Sequence, residues 1–172
     1  VPPFAALGGF AGVWIAGRAR AYGKAALTAL AALFIGAVAL PVSDMVRLHP
    51  YEYTAFNWLS GGVRMAQSNY MLDYWGLAFK QAADELRARL AAGAEHPPQG
   101  RRWVVAICGP QSSAQEELGP QFETVFDEKK ADFVLALGTF YCRHLQAPIM
   151  ATIKREGVVY AAVYDLRSEE RR

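Results

Sequence analysis

Two uncharged runs at the amino end limit what this chain can fold into more than any other feature. Val1 to Gly17 carries no charge, and neither does Ala25 to Ser43, "AALTALAALFIGAVALPVS". A helix crosses a bilayer core with about 20 predominantly apolar residues, so each run is expected to be a transmembrane helix, over about 2–17 and 25–42. Between them lies "RARAYGK", in which Arg18, Arg20 and Lys24 are the only charges before Asp44. Short loops rich in Arg and Lys stay in the cytoplasm. Residues 18–24 are therefore expected as a cytoplasmic loop, residues 1–43 as a helical hairpin, and residues 44–172 on the exported face. A secretory signal would begin basic and end at a small-residue cleavage site, and this order does not match it. The structural alternative is a buried hairpin in a soluble protein, since Ala and Gly keep both runs only mildly apolar. Gly8 and Gly12, beside Ala5 and Gly9, place a small face on the first helix of the kind that lets helices approach closely in lipid. That face, and an opening residue that is Val rather than Met, lead us to expect a fragment of a longer protein with further spans.

The exported part holds roughly 130 residues, the size of one domain. Net charge is +2, with no basic block interleaved with aromatics, which gives no support for a nucleic-acid surface. Residues 44–75 form an aromatic-rich segment without sustained period, punctuated by Pro50, Gly61 and Gly62, expected as loop with short helical turns at the membrane interface. From residue 76 the pattern becomes regular. Leu77, Ala82, Ala83, Leu86 and Leu90 share a helical face, with Lys80 and Asp84, and Glu85 and Arg89, paired on the other. Asp73 is a plausible cap for this helix and Gly93 a plausible stop. "WVVAI" and "ADFVLALG" are expected as buried strands, and a short helix is possible in the polar stretch between them. "PIMATIKREGVVYAAVYDLR" reads as two strands joined at Glu156-Gly157. The fold class expected is two transmembrane α-helices followed by a small exported α/β domain, a mixed sheet with helices packed on it, over 76–172.

Cys108 ends the first of those strands and Cys142 follows the second, which puts them at one edge if the strands run parallel. On an oxidising exported face such a pair is expected to form a disulfide. A metal site on Cys142 and His144 lacks the repeated paired spacing of structural zinc, so no metal and no cofactor is expected. There is no nucleophile elbow, phosphate loop or HExxH helix, and Ser112 and Ser113 are expected in a solvated turn. The densest chemistry is "LHPYEYTAFNWLSGG", Leu48 to Gly62, and its echo "NYMLDYWG", Asn69 to Gly76. Taken singly, Tyr51, Tyr53, Phe56, Trp58, Tyr70, Tyr74 and Trp75 fit an interfacial aromatic belt. A belt does not account for Glu52, Asn57 and Asp73. Rings that stack on sugar faces beside carboxylates and amides are what a saccharide surface needs, and both readings stand.

These runs resemble the segment after the last transmembrane helix in bacterial multi-pass glycosyltransferases, family 39-like relatives of the dolichyl-phosphate-mannose protein mannosyltransferases. "HPYEYTAFNWLSGG", "LDYWGLAFKQAADEL", "VVAICGP", "ADFVLALGTFYC" and "REGVVYAAVYDL" carry the resemblance across most of Asp44 to Arg167. Trp58 and Ala55 depart from it: an acid is expected at the first position and a ring at the second. The resemblance implies a GT-C enzyme in a bacterial inner membrane that transfers a sugar, with inversion, from a polyprenyl-phosphate donor to an unspecified acceptor on the exported side. It also implies that the catalytic base lies upstream, so no catalytic residue is expected in this chain. His49, Tyr51, Glu52, Tyr53, Asn57, Asp73, Tyr74 and Trp75 are the expected substrate-binding residues. The competing readings are a membrane-anchored exported binding or sensing module and an accessory subunit that packs on another membrane protein.

Overall fold

A computed structural model describes residues 2–138, 142 and 145–167, which form two compact units, 1–46 and 47–172. In the first, α1 spans Pro2–Ala21 and α2 spans Lys24–Leu48. Both run past the expected ends. Arg18 and Arg20 are good helix formers placed where the helix dipole favours cations, and the Arg18 guanidinium lies 5.3 Å from the Trp14 ring centre. The break comes at Gly23, whose φ of 101° suits a residue without a Cβ. Pro41 costs α2 one backbone hydrogen bond, yet no glycine follows to stop the helix before Leu48.

Among the described residues α2 is the one helix long and apolar enough to cross a membrane. The span expected over 2–17 is helical, but Pro2, Pro3, Gly8, Gly9, Gly12 and Gly17 dilute its apolar side chains. The expectation of two spans is thus met by one helix.

The second unit is the expected α/β domain. After short turns and the single-turn helix α3 (Gly62–Ala66), α4 covers Ala78–Ala92, β1 Trp103–Cys108, α5 Gln111–Leu118, β2 Phe122–Val125, β3 Phe133–Leu137, β4 Ile149–Arg155 and β5 Val158–Asp165. The five strands lie in the order β2-β1-β3-β5-β4, with β1 parallel to β2 and β3 and the β3-β5 and β5-β4 pairs antiparallel. Turn chemistry explains the last pair: Glu156 and Gly157 both have positive φ, as the commonest two-residue hairpin turn requires. β2 was not expected, because four residues containing a glutamate carry almost no strand pattern.

Alternation along the strands divides the core into two layers. Trp103, Val105 and Ile107 of β1 and Phe133, Leu135 and Leu137 of β3 face the helices, where Phe79, Ala82, Ala83 and Leu86 of α4 are completely buried. Leu77, expected on that face, is about half exposed, and Ala78 and Phe79 take its place. The expected charge pairs along α4 also differ, since Lys80 reaches Glu117 of α5 and Arg87 reaches Asp84. The other sheet face is small and apolar, with Ala106, Cys108, Val134 and Ala136 covered by Cys142, Leu145, Ala147 and Leu166.

A disulfide between Cys108 and Cys142, Cα atoms 6.0 Å apart, ties down the segment that covers this second face. The other end of the β1–β3 pair is tied by Asp132. Its carboxylate takes a forked pair of bonds from Arg101, at 2.6 and 2.7 Å, and a third from the Val104 N–H. Burial raises the pKa of Asp132, but those donors outweigh it and hold the group below the usual carboxylate range.

A crosslink spanning 34 residues removes chain entropy worth about 3–4 kcal/mol from the unfolded state. Thermal unfolding of the protein with and without a thiol reductant should show a loss of that size, and an unchanged midpoint would mean that the second face holds without the bond.

Candidate functional site

The tetrapeptide Asp73-Tyr74-Trp75-Gly76 folds as it does because its two ends are fixed and its middle is not. Asp73 is 4% exposed, and its carboxylate accepts from the N–H groups of Gly76, Leu77 and Ala78 at 2.9, 3.0 and 2.7 Å. The Ala78 N–H is the first donor of α4 and those of Gly76 and Leu77 lead into it, so Asp73 closes the helix start from outside, with Leu77 at the N-cap position. Gly76 has a φ of 77°, and a Cβ there would lie 2.9 Å from the Phe79 ring. Any other residue would be strained and would push α4 off the sheet. With both ends held, Tyr74 and Trp75 project outward, 61% and 67% exposed, edge to face with ring centres 5.2 Å apart.

The upstream run is bonded to the same carboxylate. Tyr53 donates its hydroxyl to Asp73. Tyr51, completely buried, stacks on Tyr160 of β5 with ring centres 4.6 Å apart, and the Arg155 guanidinium lies 5.4 Å from its ring centre. The Tyr160 and Thr54 hydroxyls are 2.7 Å apart, and Thr54 donates to the Tyr51 carbonyl. Arg155 also donates to the His49 carbonyl and to Gln81 of α4. Burial pushes the Tyr51 hydroxyl up to about 12, with Arg155 opposing. Tyr53 and Tyr160 are raised as well, chiefly by burial, the first also by its bond to Asp73.

The eight expected site residues therefore separate by environment. Tyr51 and Asp73 are buried and Tyr53, about half exposed, reaches in to Asp73 with its hydroxyl, while Asn57 caps a short turn by accepting from the Ser60 N–H at 2.9 Å. His49 and Glu52 pair with each other at the surface, where a backbone hydrogen bond and then His49 lower the Glu52 pKa. Tyr74 and Trp75 are displayed rings.

Trp75 and Pro50 meet in an open groove of about 490 Å³, walled by Leu77, Lys80, Gln81 and Asp84 from α4 and by Ser113, Glu116 and Glu117 from α5. The groove's polar wall is absent from the sequence-based expectation, in which α4's outer side is an ordinary solvated face and Ser113 belongs to a turn. Ser113 instead lies on α5, one helix across from Trp75. A much smaller cavity of about 20 Å³ beside Asp73 and Tyr160 has room for a single water and for no sugar.

The groove's chemistry is that of binding. One exposed indole face adjoins an amide, a hydroxyl and three carboxylates, all acceptors for hydroxyl groups. Lys80 is the one cation in that wall, and it lies 3.7 Å from Glu117. The net negative lining disfavours a phosphate and leaves a neutral polyhydroxylated ligand as the natural fit. Of the metal ligands considered from sequence, Cys142 is paired with Cys108, with Glu128 3.1 Å from its sulfur, and His144 lies outside the described residues. Comparison of the chain with protein-family models, with curated proteins and with solved structures finds no match.

Replacing Asp73 by Ala leaves three backbone donors and a buried hydroxyl without an acceptor, and should cost about 2–3 kcal/mol of stability in denaturant titration. Tyr51→Phe should behave oppositely. The Tyr51 hydroxyl is buried without a hydrogen-bond partner, so its removal should leave stability unchanged or gain about 1 kcal/mol. The raised tyrosine pKa also sets an alkaline limit. Its stabilising contribution is intact below the unfolded value near 10 and is lost as pH rises through about 12. Tyr51→Phe should shift alkaline unfolding, followed by circular dichroism, to higher pH.

Proposed function

We propose that this chain is the carboxy-terminal portion of an integral membrane glycosyltransferase of GT-C type, with its α/β domain on the exported side. In this reading α2 crosses the membrane and the sugar comes from a polyprenyl-phosphate donor. The catalytic base lies upstream, and the Trp75 groove receives the acceptor as a neutral saccharide. The observation that carries the reading is that three separate runs resembling these enzymes converge on one network. Tyr51, Tyr53 and Thr54 come from the first run, Asp73 from the second and Tyr160 from the third. Residues that meet in space, and together hold Trp75 at a groove, give the resemblance a physical unit to act through. Support for the exported side comes from the Cys108–Cys142 bond, which belongs to oxidising compartments. The groove's negative lining fits an acceptor better than a phosphate-bearing donor.

Membranes from cells expressing the intact protein, supplied with radiolabelled polyprenyl-phosphate sugars, should pass label to an acceptor that control membranes leave unlabelled. Absence of transfer from every donor offered would overturn the assignment. Trp75→Ala in the same membranes should raise the acceptor KM by about tenfold with kcat nearly unchanged, the loss of uniform binding worth about 1.4 kcal/mol. An unchanged KM would remove the groove from acceptor binding.

A further inference from the structure

Two of the exposed aromatic sites in the α/β domain have different surroundings, and only the first, Trp75, lines the groove. The second lies on the turn from Asn57 to Gly62. Trp58 and Leu59 are 74% and 77% exposed at its tip, and Met65 of α3 beside them is 60% exposed. This display is built. The Asn57 side chain and carbonyl accept from the Ser60 N–H, the Ser60 hydroxyl returns a bond to the Asn57 carbonyl, and the Gly61 and Gly62 N–H groups close onto Trp58 and Asn57. Gly61 has a φ of 81°, and a Cβ on it would stand 2.3 Å from Met65, so the turn and α3 hold each other in place.

Three properties select the partner of this tip. First, Tyr53 to Val63 contains no charged residue, so no ion at the tip has to leave water. Second, Ser60, Gly61 and Gly62 pair their N–H groups within the turn, which is what an apolar medium demands of a backbone. Third, Trp58 stands ten residues beyond Leu48, the last residue of α2. A helix of 25 residues is about 37 Å long, more than the ~30 Å hydrocarbon core, so its end stands in the headgroup layer. Ten residues of chain reach at most about 35 Å from there. Indole rings prefer that layer, where one edge is apolar and the other wet.

We infer that the Trp58–Leu59 tip, with Met65, inserts into the lipid interface of the membrane that α2 crosses, giving the exported domain a second attachment to the bilayer. The inference rests on the reading of α2 as a span, and adds to it a contact made by the domain itself. Trp75, although equally exposed, belongs to the carboxylate-lined groove and stays in water.

The test reconstitutes the full protein, with Trp14, Trp75 and Trp103 changed to Phe, into phosphatidylcholine vesicles whose acyl chains carry bromine at shallow or deep positions. Trp58 emission should be shifted to the blue and quenched most by the shallow bromines. Hydrated emission that bromolipid does not quench would overturn the inference, and so would shielded emission that bromolipid leaves intact, because the occupant would then be protein. Trp75 as the single indole should show hydrated, unquenched emission, and its quenching would overturn the distinction drawn between the two rings. Alkaline carbonate extraction of the same vesicles separates the two levels. Release of the protein ends the span reading and this inference together, whereas retention with a hydrated Trp58 ends this inference alone.

Discussion

The carboxylate of Asp73 is the group on which the arrangement of the α/β domain depends. Taking a carboxylate out of water costs several kcal/mol unless donors replace the lost hydration. Here three backbone N–H groups and the Tyr53 hydroxyl do so. Each donor belongs to a piece of chain that must then be in place: the start of α4, which covers the sheet, and the 49–57 segment, which follows α2. Tyr51 extends the constraint to β5 through its stacking on Tyr160. A single buried charge thereby couples the helix layer, the sheet and the segment leaving the apolar helix. The penalty for breaking any part of the arrangement is an orphaned donor or an unpaired anion in the interior.

This coupling also explains which features were legible in the sequence. The two central strands, the 3.6-residue pattern of α4, the Glu156-Gly157 turn and the cysteine pair are local signals, and the sheet is assembled from them. β2 was not legible, because "FETV" becomes a strand only when its backbone is paired with β1. Tyrosine was the least readable residue type in the site. Its amphipathic ring suits an interface, an interior or a groove equally well, so Tyr51 and Tyr53 had the composition of ligand contacts while their hydroxyls turned inward. Lys80, Gln81, Glu116 and Glu117 failed in the opposite direction: each looks like ordinary solvated helix surface until α4 and α5 lie side by side. In α1 the uncharged stretch up to Gly17 was legible, and its dilution by glycine and proline weighed more than its length.

Two tryptophans show how little residue type decides by itself. Trp58 and Trp75 are exposed to a similar degree, and each is held by a rigid capped turn. Their neighbours differ in charge. Around Trp75 stand Asp84, Glu116 and Glu117, groups whose desolvation would cost far more than one ring could return, which keeps that ring in water. Around Trp58 the chain from Tyr53 to Val63 carries no charge, and the turn pairs the N–H groups of Ser60, Gly61 and Gly62. Transfer of about 25 cal/mol per Å² of apolar surface is then opposed by little. In the proposed reading the domain touches lipid on one turn and keeps its carboxylate-lined groove in water on another. An enzyme that joins a lipid-borne sugar to a soluble acceptor requires both kinds of surface, because the two reactants arrive from different media.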